Sequence, residues 1–203
     1  MPPPDFFARL GLFVVKDFFD ADGCASLRAE AAACEREPLA VVDGYSADER
    51  IKDDVRRTKG AQVSKQTRAL VRSRLTGLQP DIERHFGLTF EGCEQPQFLV
   101  YQPGDYFRAH RDGEDAPGKP DYARRRRVSI VIFLNGETET PSPGSFCGGA
   151  LTLYGLLEEP RMKQYGLGLV GEAGLLLGFR SDLMHEVRDV TYGQRYTVVS
   201  WFF

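Results

Sequence analysis

The chain has 203 residues, a formal net charge of −3 and a sequence pI of about 5.7. This length predicts a single domain with a buried core, and the acidic balance argues against nucleic acid as a partner. No apolar run approaches the length of a membrane span, and the N-terminus does not resemble a signal peptide. Four scattered cysteines, none of them in a CxxC pair, predict reduced thiols and a cytoplasmic location.

The N-terminal region begins with an apolar stretch at residues 10–19, which predicts a first strand. A helix is expected next, capped by Asp20 or Asp22, and Pro38 ends it after about Glu37. The polar residues that follow are rich in turn signals and predict a long loop.

A short strand is predicted within residues 55–63, and Ser64 is placed to cap a second helix. Apolar residues recur at helical spacing through Phe86, but Pro80 interrupts them, so we expect a kink or two successive helices. This helix carries His85 beside its apolar stripe, and we interpret that histidine as structural.

From Gln97 onward the apolar residues recur with the period of strands. The last two strands are expected to pair antiparallel across the turn at Tyr192-Gly193. Many short strands and few helices predict an α+β, mainly β domain, built as a two-sheet barrel or jelly roll with the N-terminal helices packed on one sheet. The predicted strands lie in residues 96–104, 105–112, 127–135, 147–155, 173–179, 185–191 and 194–203, and the longer exposed loops in residues 113–125 and 136–146.

His110 and Asp112 lie two residues apart on the predicted strand 105–112. Strand residues at this spacing point to the same face, so an imidazole nitrogen and a carboxylate oxygen can meet at one point. A metal site needs a further ligand, and His185 is the remaining candidate because His85 lies on a helix. Two histidines and one carboxylate on one face of a metal are typical of non-haem Fe(II) oxygenases, although ligand type alone leaves Zn and Mn open.

The ordered set of these residues resembles the Fe(II)- and 2-oxoglutarate-dependent oxygenases, specifically their prolyl 4-hydroxylase-like branch. The resemblance covers residues 98–203 and implies a double-stranded β-helix core over 96–203. Residues 1–95 would support that core within one oxygenase domain over 1–203. The resemblance rests on His110-x-Asp112, His185 and Arg195, with Tyr101 and Gly104, Gly148-Gly149-x-Leu151, and the ending Arg195-Tyr196 to Trp201-Phe202.

The resemblance also implies roles for residues around the metal. Arg195 is expected to bind the distal carboxylate of 2-oxoglutarate, because a guanidinium matches a carboxylate bidentately. Tyr101 is expected to hydrogen-bond the same carboxylate. Leu151 and Trp201 match positions that line the cosubstrate pocket, although core packing explains both equally well. Arg127 matches an arginine near the active-site mouth that contacts the substrate in relatives.

The implied reaction uses Fe(II) and O2, converts 2-oxoglutarate to succinate and CO2, and is supported by ascorbate. Asp112 favours hydroxylation or another oxidation, because halogenating relatives lack this carboxylate. The expected substrate is a prolyl or other residue of a protein or peptide, and a free amino acid or small metabolite is the alternative. The loops at 43–62 and 113–123 are candidates to close over it.

Two further alternatives are disfavoured by particular residues. Nucleic-acid demethylases of the superfamily typically carry a second arginine six residues after the cosubstrate arginine, where this chain has Trp201. A non-catalytic metal-binding barrel that serves as a sensor or binding module is disfavoured by the intact set of metal ligands.

Overall fold

The computed structural model describes residues 4–39, 41–42, 49–50, 52, 54–114, 119–157 and 165–203. The helices in this part of the chain are α1 (Pro4–Arg9), α2 (Ala21–Ala33), α3 (Lys65–Phe86) and α4 (Asp121–Arg125). Its strands are β1 (Phe13–Val15), β2 (Arg36–Pro38), β3 (Val41–Val42), β4 (Glu49–Arg50), β5 (Arg56–Arg57), β6 (Lys59–Ala61), β7 (Gln97–Tyr101), β8 (Tyr106–His110), β9 (Val128–Phe133), β10 (Phe146–Gly148), β11 (Leu151–Tyr154), β12 (Gly166–Leu169), β13 (Leu176–Arg180), β14 (His185–Val187), β15 (Val190–Gly193) and β16 (Arg195–Phe202).

The larger sheet has seven antiparallel strands in the order β1-β13-β9-β16-β7-β6-β2. Its centre is β16, which pairs with β7 on one side and β9 on the other. All six residues of β9 are buried. Both faces of this strand are therefore covered, which explains why its sequence is an apolar run without polar alternation.

The smaller sheet has five antiparallel strands in the order β12-β11-β14-β8-β5. Two further pairs, β10 with β15 and β3 with β4, complete the strands of the described residues. Antiparallel strands in two packed sheets, with few helices, confirm the mainly β jelly-roll architecture predicted from the sequence.

The hydrophobic core has two layers, one on each face of the larger sheet. Ile130 and Ile132 of β9 pack in a cluster with residues of α2 and α3, such as Leu27 and Leu75. The alternating residue Val131 packs in a second cluster that includes residues of the smaller sheet. This arrangement confirms that the N-terminal helices pack on one sheet, and it leaves the other face of that sheet turned toward the smaller one.

The N-caps of α2 and α3 agree with the sequence prediction, whereas the C-terminal end of α2 lies earlier than predicted. Asp20 accepts a hydrogen bond from the backbone N–H of Gly23 at 2.8 Å, and Ser64 accepts one from Thr67 at 3.1 Å. The helix α2 ends at Ala33, earlier than predicted, because Arg36–Pro38 leaves the helix to pair with β6.

The alternative of two successive helices is wrong, since α3 continues through Pro80 to Phe86, and the kink at Pro80 stays a prediction. A proline inside a helix costs about 3 kcal/mol, because it removes a hydrogen bond and clashes with the preceding turn. Buried side chains on both sides of the proline offset this cost by anchoring the helix to the sheet: Val71, Leu75 and Ile82.

Three features of the C-terminal half differ from the sequence prediction. Residues 147–155 form two strands in different sheets, because the chain turns at Gly149 and leaves β10 to enter β11. The predicted loop 113–125 contains the short helix α4. The strand β12 was not predicted, since its sequence GLGL carries a weak strand signal.

The expected antiparallel pair between the last two strands is also wrong. β14 pairs with β8 and β11 in the smaller sheet, whereas β16 pairs with β7 and β9 in the larger one. Between them, β15 pairs with β10. The chain thus crosses from one sheet to the other, and His185 and Arg195 approach one cavity from opposite sheets.

No helix among the described residues is long and apolar enough to cross a membrane. All four cysteines carry free thiols, and three of them are buried. Burial raises the pKa of the thiols of Cys24 and Cys93, so both stay protonated at neutral pH.

Candidate metal centre

Three side chains of the smaller sheet converge at one point. His110 is the last residue of β8, Asp112 follows it by two residues, and His185 is the first residue of β14. The register of the two strands places His185 directly opposite His110, because β8 and β14 are neighbours. One ligand atom of each side chain lies within 4.8 Å of the others, a spacing that fits a divalent metal ion.

Each imidazole is oriented by its own backbone. The Nδ1–H of His110 donates to the carbonyl of Arg108 at 2.8 Å, and that of His185 donates to the carbonyl of Leu183 at 2.9 Å. Because a carbonyl only accepts, Nδ1 carries the proton in both rings and Nε2 is left as the ligand atom. Both Nε2 atoms lie 3.4 Å from an oxygen of Asp112.

The electrostatics of the cluster favour binding of a cation. Burial and the proximity of His185 lower the pKa of His110 to about 4, so its imidazole is neutral at physiological pH. Burial alone favours the neutral acid at Asp112, yet the two imidazoles hold the pKa of this carboxyl well below its usual range. The same carboxylate raises the pKa of His185 against the opposing effect of burial.

The carboxylate is held by a hydroxyl from the larger sheet. Ser129 of β9 donates to Oδ2 of Asp112 at 2.7 Å, and its Oγ lies 2.9 Å from that of Ser181. Gly113 follows the carboxylate in a tight space, where a Cβ atom would lie 2.3 Å from the carbonyl oxygen of Arg126. These contacts fix the carboxylate in the orientation that a metal ligand requires.

A cavity of about 520 Å³ lies between the two sheets and contains the three ligand side chains. Arg195 lines this cavity from β16 and is only 1% exposed. Its guanidinium donates to Thr197 at 3.2 Å, while Nε and Nη2 are buried without a hydrogen-bond partner among the described residues. Burial lowers the pKa of Arg195, yet arginine stays charged in proteins. Two buried, charged donors therefore point to an anionic ligand.

The other sequence-predicted cavity residues also lie here. Tyr101 pairs with Arg195 across β7 and β16, and its ring centroid lies 5.1 Å from the guanidinium carbon. Leu151 and Trp201 line the same cavity, and both are buried. The structure thus brings Tyr101, Leu151, Trp201 and Arg195 together with the metal cluster.

The two glycines of the Gly148-Gly149 stretch have a steric explanation. Both have a φ of +69°, which side chains rarely adopt. A Cβ atom at Gly149 would lie 2.8 Å from Cγ2 of Val190 and 3.0 Å from Cδ of Arg195. The absence of a side chain at Gly149 thus allows Arg195 to lie against the backbone at the turn into β11.

Arg127 lies outside the cavity, because its side chain is exposed and the lining includes the preceding residue, Arg126, in its place. The Nε and Nη2 atoms of Arg126 donate to the two carboxylate oxygens of Glu94 at 2.7 and 2.8 Å. The guanidinium carbon of Arg126 lies 3.6 Å from the ring centroid of Trp201. The single-residue shift arises because β9 begins at Val128 rather than at Arg127.

Sequence reasoning also missed a cationic side chain of the cavity that lies beside the metal cluster, Arg56 of β5. Its guanidinium carbon lies 4.6 Å from the ring centroid of Phe107, and that ring stacks on His110 at 3.5 Å. Only pairing of β5 with β8 brings Arg56 here, and no local sequence signal indicates that pairing.

His85 lies away from the cluster, on α3. Its ring makes edge contacts with Phe13 and Phe86, and burial lowers its pKa. The predicted closing loops at 43–62 and 113–123 lie partly outside the described residues. Their described parts contribute Lys52, Val55, Arg56, Lys119, Tyr122 and Ala123 to the cavity lining.

Solved structures similar to the chain include prolyl hydroxylases. A prolyl-4-hydroxylase from Pseudomonas putida is 25% identical, with a TM-score of 0.67 over 98% of this chain and 95% of that one. A Trichoplax adhaerens prolyl hydroxylase, in complex with a hypoxia inducible factor peptide fragment, is 19% identical, with a TM-score of 0.64 over 98% and 88%. A viral collagen prolyl hydroxylase from Paramecium Bursaria Chlorella virus-1, in a 2OG complex, is 16% identical, with a TM-score of 0.62 over 94% of each chain.

The last two likenesses concern the fold alone, and no curated protein sequence matches the chain. The family model described as the 2OG-Fe(II) oxygenase superfamily matches residues 96–203, which include all of the metal cluster and Arg195. The chain therefore belongs to the 2OG-Fe(II) oxygenase superfamily, in its prolyl 4-hydroxylase-like branch, and is an Fe(II)- and 2-oxoglutarate-dependent dioxygenase.

Proposed function

We propose that this enzyme hydroxylates a C–H bond of a prolyl or other residue in a protein or peptide. The observation that carries the proposal is the coexistence, in one cavity, of the three-residue metal cluster and two buried donors of Arg195, Nε and Nη2, that have no partner among the described residues. The cluster fits a divalent metal and the guanidinium fits a carboxylate, so the cavity offers sites for both groups that the family uses.

His110, Asp112 and His185 would hold Fe(II). Two neutral imidazoles and one carboxylate are ligands that suit Fe(II), and they leave other coordination positions open. When bound, Fe(II) and 2-oxoglutarate together activate O2, forming succinate and CO2 and transferring one oxygen atom to the substrate. The part of Ser129 is to hold the carboxylate in place, through its 2.7 Å hydrogen bond.

Arg195 would bind the distal carboxylate of 2-oxoglutarate through Nε and Nη2, the two donors without partners. Tyr101 lies beside it and would bind the same group through its hydroxyl. Leu151 and Trp201 would form apolar walls that orient the cosubstrate and exclude water. Arg195 and the metal ligands lie on opposite sheets, so the cosubstrate would span the space between them.

A peptide substrate is supported by the similarity to prolyl hydroxylases, one of which was solved with a peptide fragment. We also infer that residues 1–203 act as one domain, with residues 1–95 supporting the catalytic part. The free thiols support a reducing, cytoplasmic location, where ascorbate would keep the iron ferrous.

A product search with heavy-isotope oxygen tests the proposal. The enzyme, Fe(II), ascorbate and 2-oxoglutarate are incubated with a lysate of cells that lack the protein, and products are analysed by mass spectrometry. Label on prolyl residues is the expected result. Label on a free amino acid or metabolite would replace the peptide assignment with the small-molecule alternative.

The matched control for this search is Asp112→Ala, which removes the carboxylate and leaves the two imidazoles. We expect it to abolish both the label and Fe(II)-dependent succinate formation. Normal succinate formation in this variant would contradict the assignment of the metal ligands.

A further inference from the structure

The cavity is basic, although the protein as a whole is acidic. Its lining has six cationic side chains and two carboxylates, in a chain whose formal net charge is −3. The carboxylates are Asp112, in the metal cluster, and Glu94, which pairs with Arg126. Clefts lined by one sign of charge attract ligands of the opposite sign. The cationic residues are Lys52, Arg56, Arg111, Lys119, Arg126 and Arg195.

Among the four arginines of this set, Arg56 has a buried donor that is given no role by the contacts of the described residues. Arg195 serves the cosubstrate, Arg126 is paired bidentately, and Arg111 lies 3.0 Å from Glu114. In contrast, Nε of Arg56 is buried without a hydrogen-bond partner among the described residues. An unsatisfied buried donor is costly, so its presence in a cavity indicates a missing ligand.

The position of Arg56 places such a ligand beside the reacting centre. Its guanidinium packs on Phe107, which stacks on the metal-cluster residue His110. This contact holds the guanidinium beside the ring, while its Nε donor has no partner among the described residues. Burial lowers the pKa of Arg56, and the charge of Arg126 adds to this effect while that of Asp112 opposes it. A bound anion would relieve the repulsion between the two arginines.

We propose that Arg56 binds a carboxylate of the substrate, so that the enzyme selects peptides with an acidic side chain next to the oxidised residue. This inference rests on the proposed function in taking the substrate to be a peptide. A carboxylate fits this site, because the N–H groups of a guanidinium match the two oxygens of a carboxylate. Arg126, on the larger-sheet side, supplies a second positive charge near the same anion.

Trp201 gives a direct binding signal, because it lines the cavity and is the only tryptophan of the chain. The test titrates the protein, loaded with Mn(II) and 2-oxoglutarate without oxygen, with two short proline peptides. One peptide has aspartate on both sides of the proline, and the other has asparagine. Binding is measured without turnover, so the result does not depend on whether the peptide is hydroxylated. Succinate formation, measured separately, reports on the proposed function.

We expect the aspartate peptide to bind about tenfold more tightly, the effect of one charge-assisted hydrogen bond. Arg56→Gln should remove this preference, and Arg56→Lys should retain part of it. The matched control is Arg57→Gln, which makes the same charge change at the adjacent exposed residue outside the cavity and should keep the preference. Raising the salt concentration should weaken the preference only modestly, because the site is partly buried.

Equal affinity for the two peptides, or a preference that survives Arg56→Gln, would overturn the proposal. Failure of both peptides to bind while 2-oxoglutarate is still converted to succinate would also overturn it, and would leave the oxygenase assignment intact. A single-stranded oligonucleotide that binds in an Arg56-dependent manner, in place of the acidic peptide, would show that the anion site serves a phosphate.

Discussion

Arg195→Met is expected to weaken 2-oxoglutarate binding strongly without destabilising the ligand-free protein. The variant loses the two buried donors, Nε and Nη2, that have no partner in the described structure. Hydrogen bonds to charged groups contribute about 1.5–3 kcal/mol each, so losing two of them should raise the KM for 2-oxoglutarate by at least about 100-fold. An arginine with a purely structural role would not affect the KM in this way.

The stability of the ligand-free variant depends on the two donors that methionine removes and on the ring contacts that the guanidinium makes. Each unpartnered buried donor costs about 1–3 kcal/mol, and methionine removes both. The variant also loses the contacts of the guanidinium with the rings of Tyr101 and Phe133, at 5.1 and 5.0 Å. Such contacts contribute about 0.5–2 kcal/mol, so a net gain of about 1 kcal/mol is expected, which raises Tm by about 2–4 °C.

Thermal unfolding with and without 2-oxoglutarate, in the presence of Mn(II), measures both effects. The wild-type Tm should rise with 2-oxoglutarate, because a ligand that binds the folded state stabilises it. Arg195→Met should start from a higher Tm and show almost no further rise. Arg195→Lys keeps the charge without the planar fork and should respond at an intermediate level. A large loss of stability in Arg195→Met, together with an unchanged response to 2-oxoglutarate, would refute the reasoning.

Three further changes test other parts of the structure. Ser129→Ala removes the hydroxyl that orients the ligand carboxylate and should lower Mn(II) affinity about 10–100-fold by calorimetry; unchanged affinity would remove this role. Gly149→Ala should raise the KM for 2-oxoglutarate, because the new methyl group would displace Arg195. Its control is Gly155→Ala, also at positive φ but with open space around it, which should lower the free energy of unfolding and leave the KM unchanged. The lowered pKa of His85 makes folding less favourable as pH falls through about 6.5, so His85→Phe should lessen this loss in chemical unfolding and leave metal affinity unchanged.

Helix caps and the pairing of nearby ligands could be predicted from the sequence, because they depend on a residue type and its spacing alone. Asp20 and Ser64 cap helices because their short side chains accept from the first turn; the sequence indicates Ser64 directly and Asp20 as one of two candidates, with Asp22. His110 and Asp112 converge because they lie two residues apart at the end of β8, where the backbone still directs both side chains to one point. These relations depend only on neighbours in the chain, and a single sequence contains them in full.

Sheet partnership was not predictable, because it depends on the whole topology. The strands that carry His185 and Arg195 look like a hairpin in sequence, yet they belong to different sheets. Arg56 reaches the cavity only through the pairing of β5 with β8. The position of Arg127 was not predictable for a related reason: it precedes β9, so the alternation of the strand, which holds for Ser129 and Val131, does not extend to it.

The division of the site between two sheets has a consequence for how the molecule moves. Among the described strands, β8 and β14 share no backbone pairing with β16, so the open end of the jelly roll is held mainly by side chains. A dicarboxylate bound to the metal at one end and to Arg195 at the other would link the smaller sheet to the larger one and restrict their relative motion. The cosubstrate would then set the width of the cavity entrance before the second substrate binds. Binding of the cosubstrate would slow amide hydrogen exchange in both sheets together.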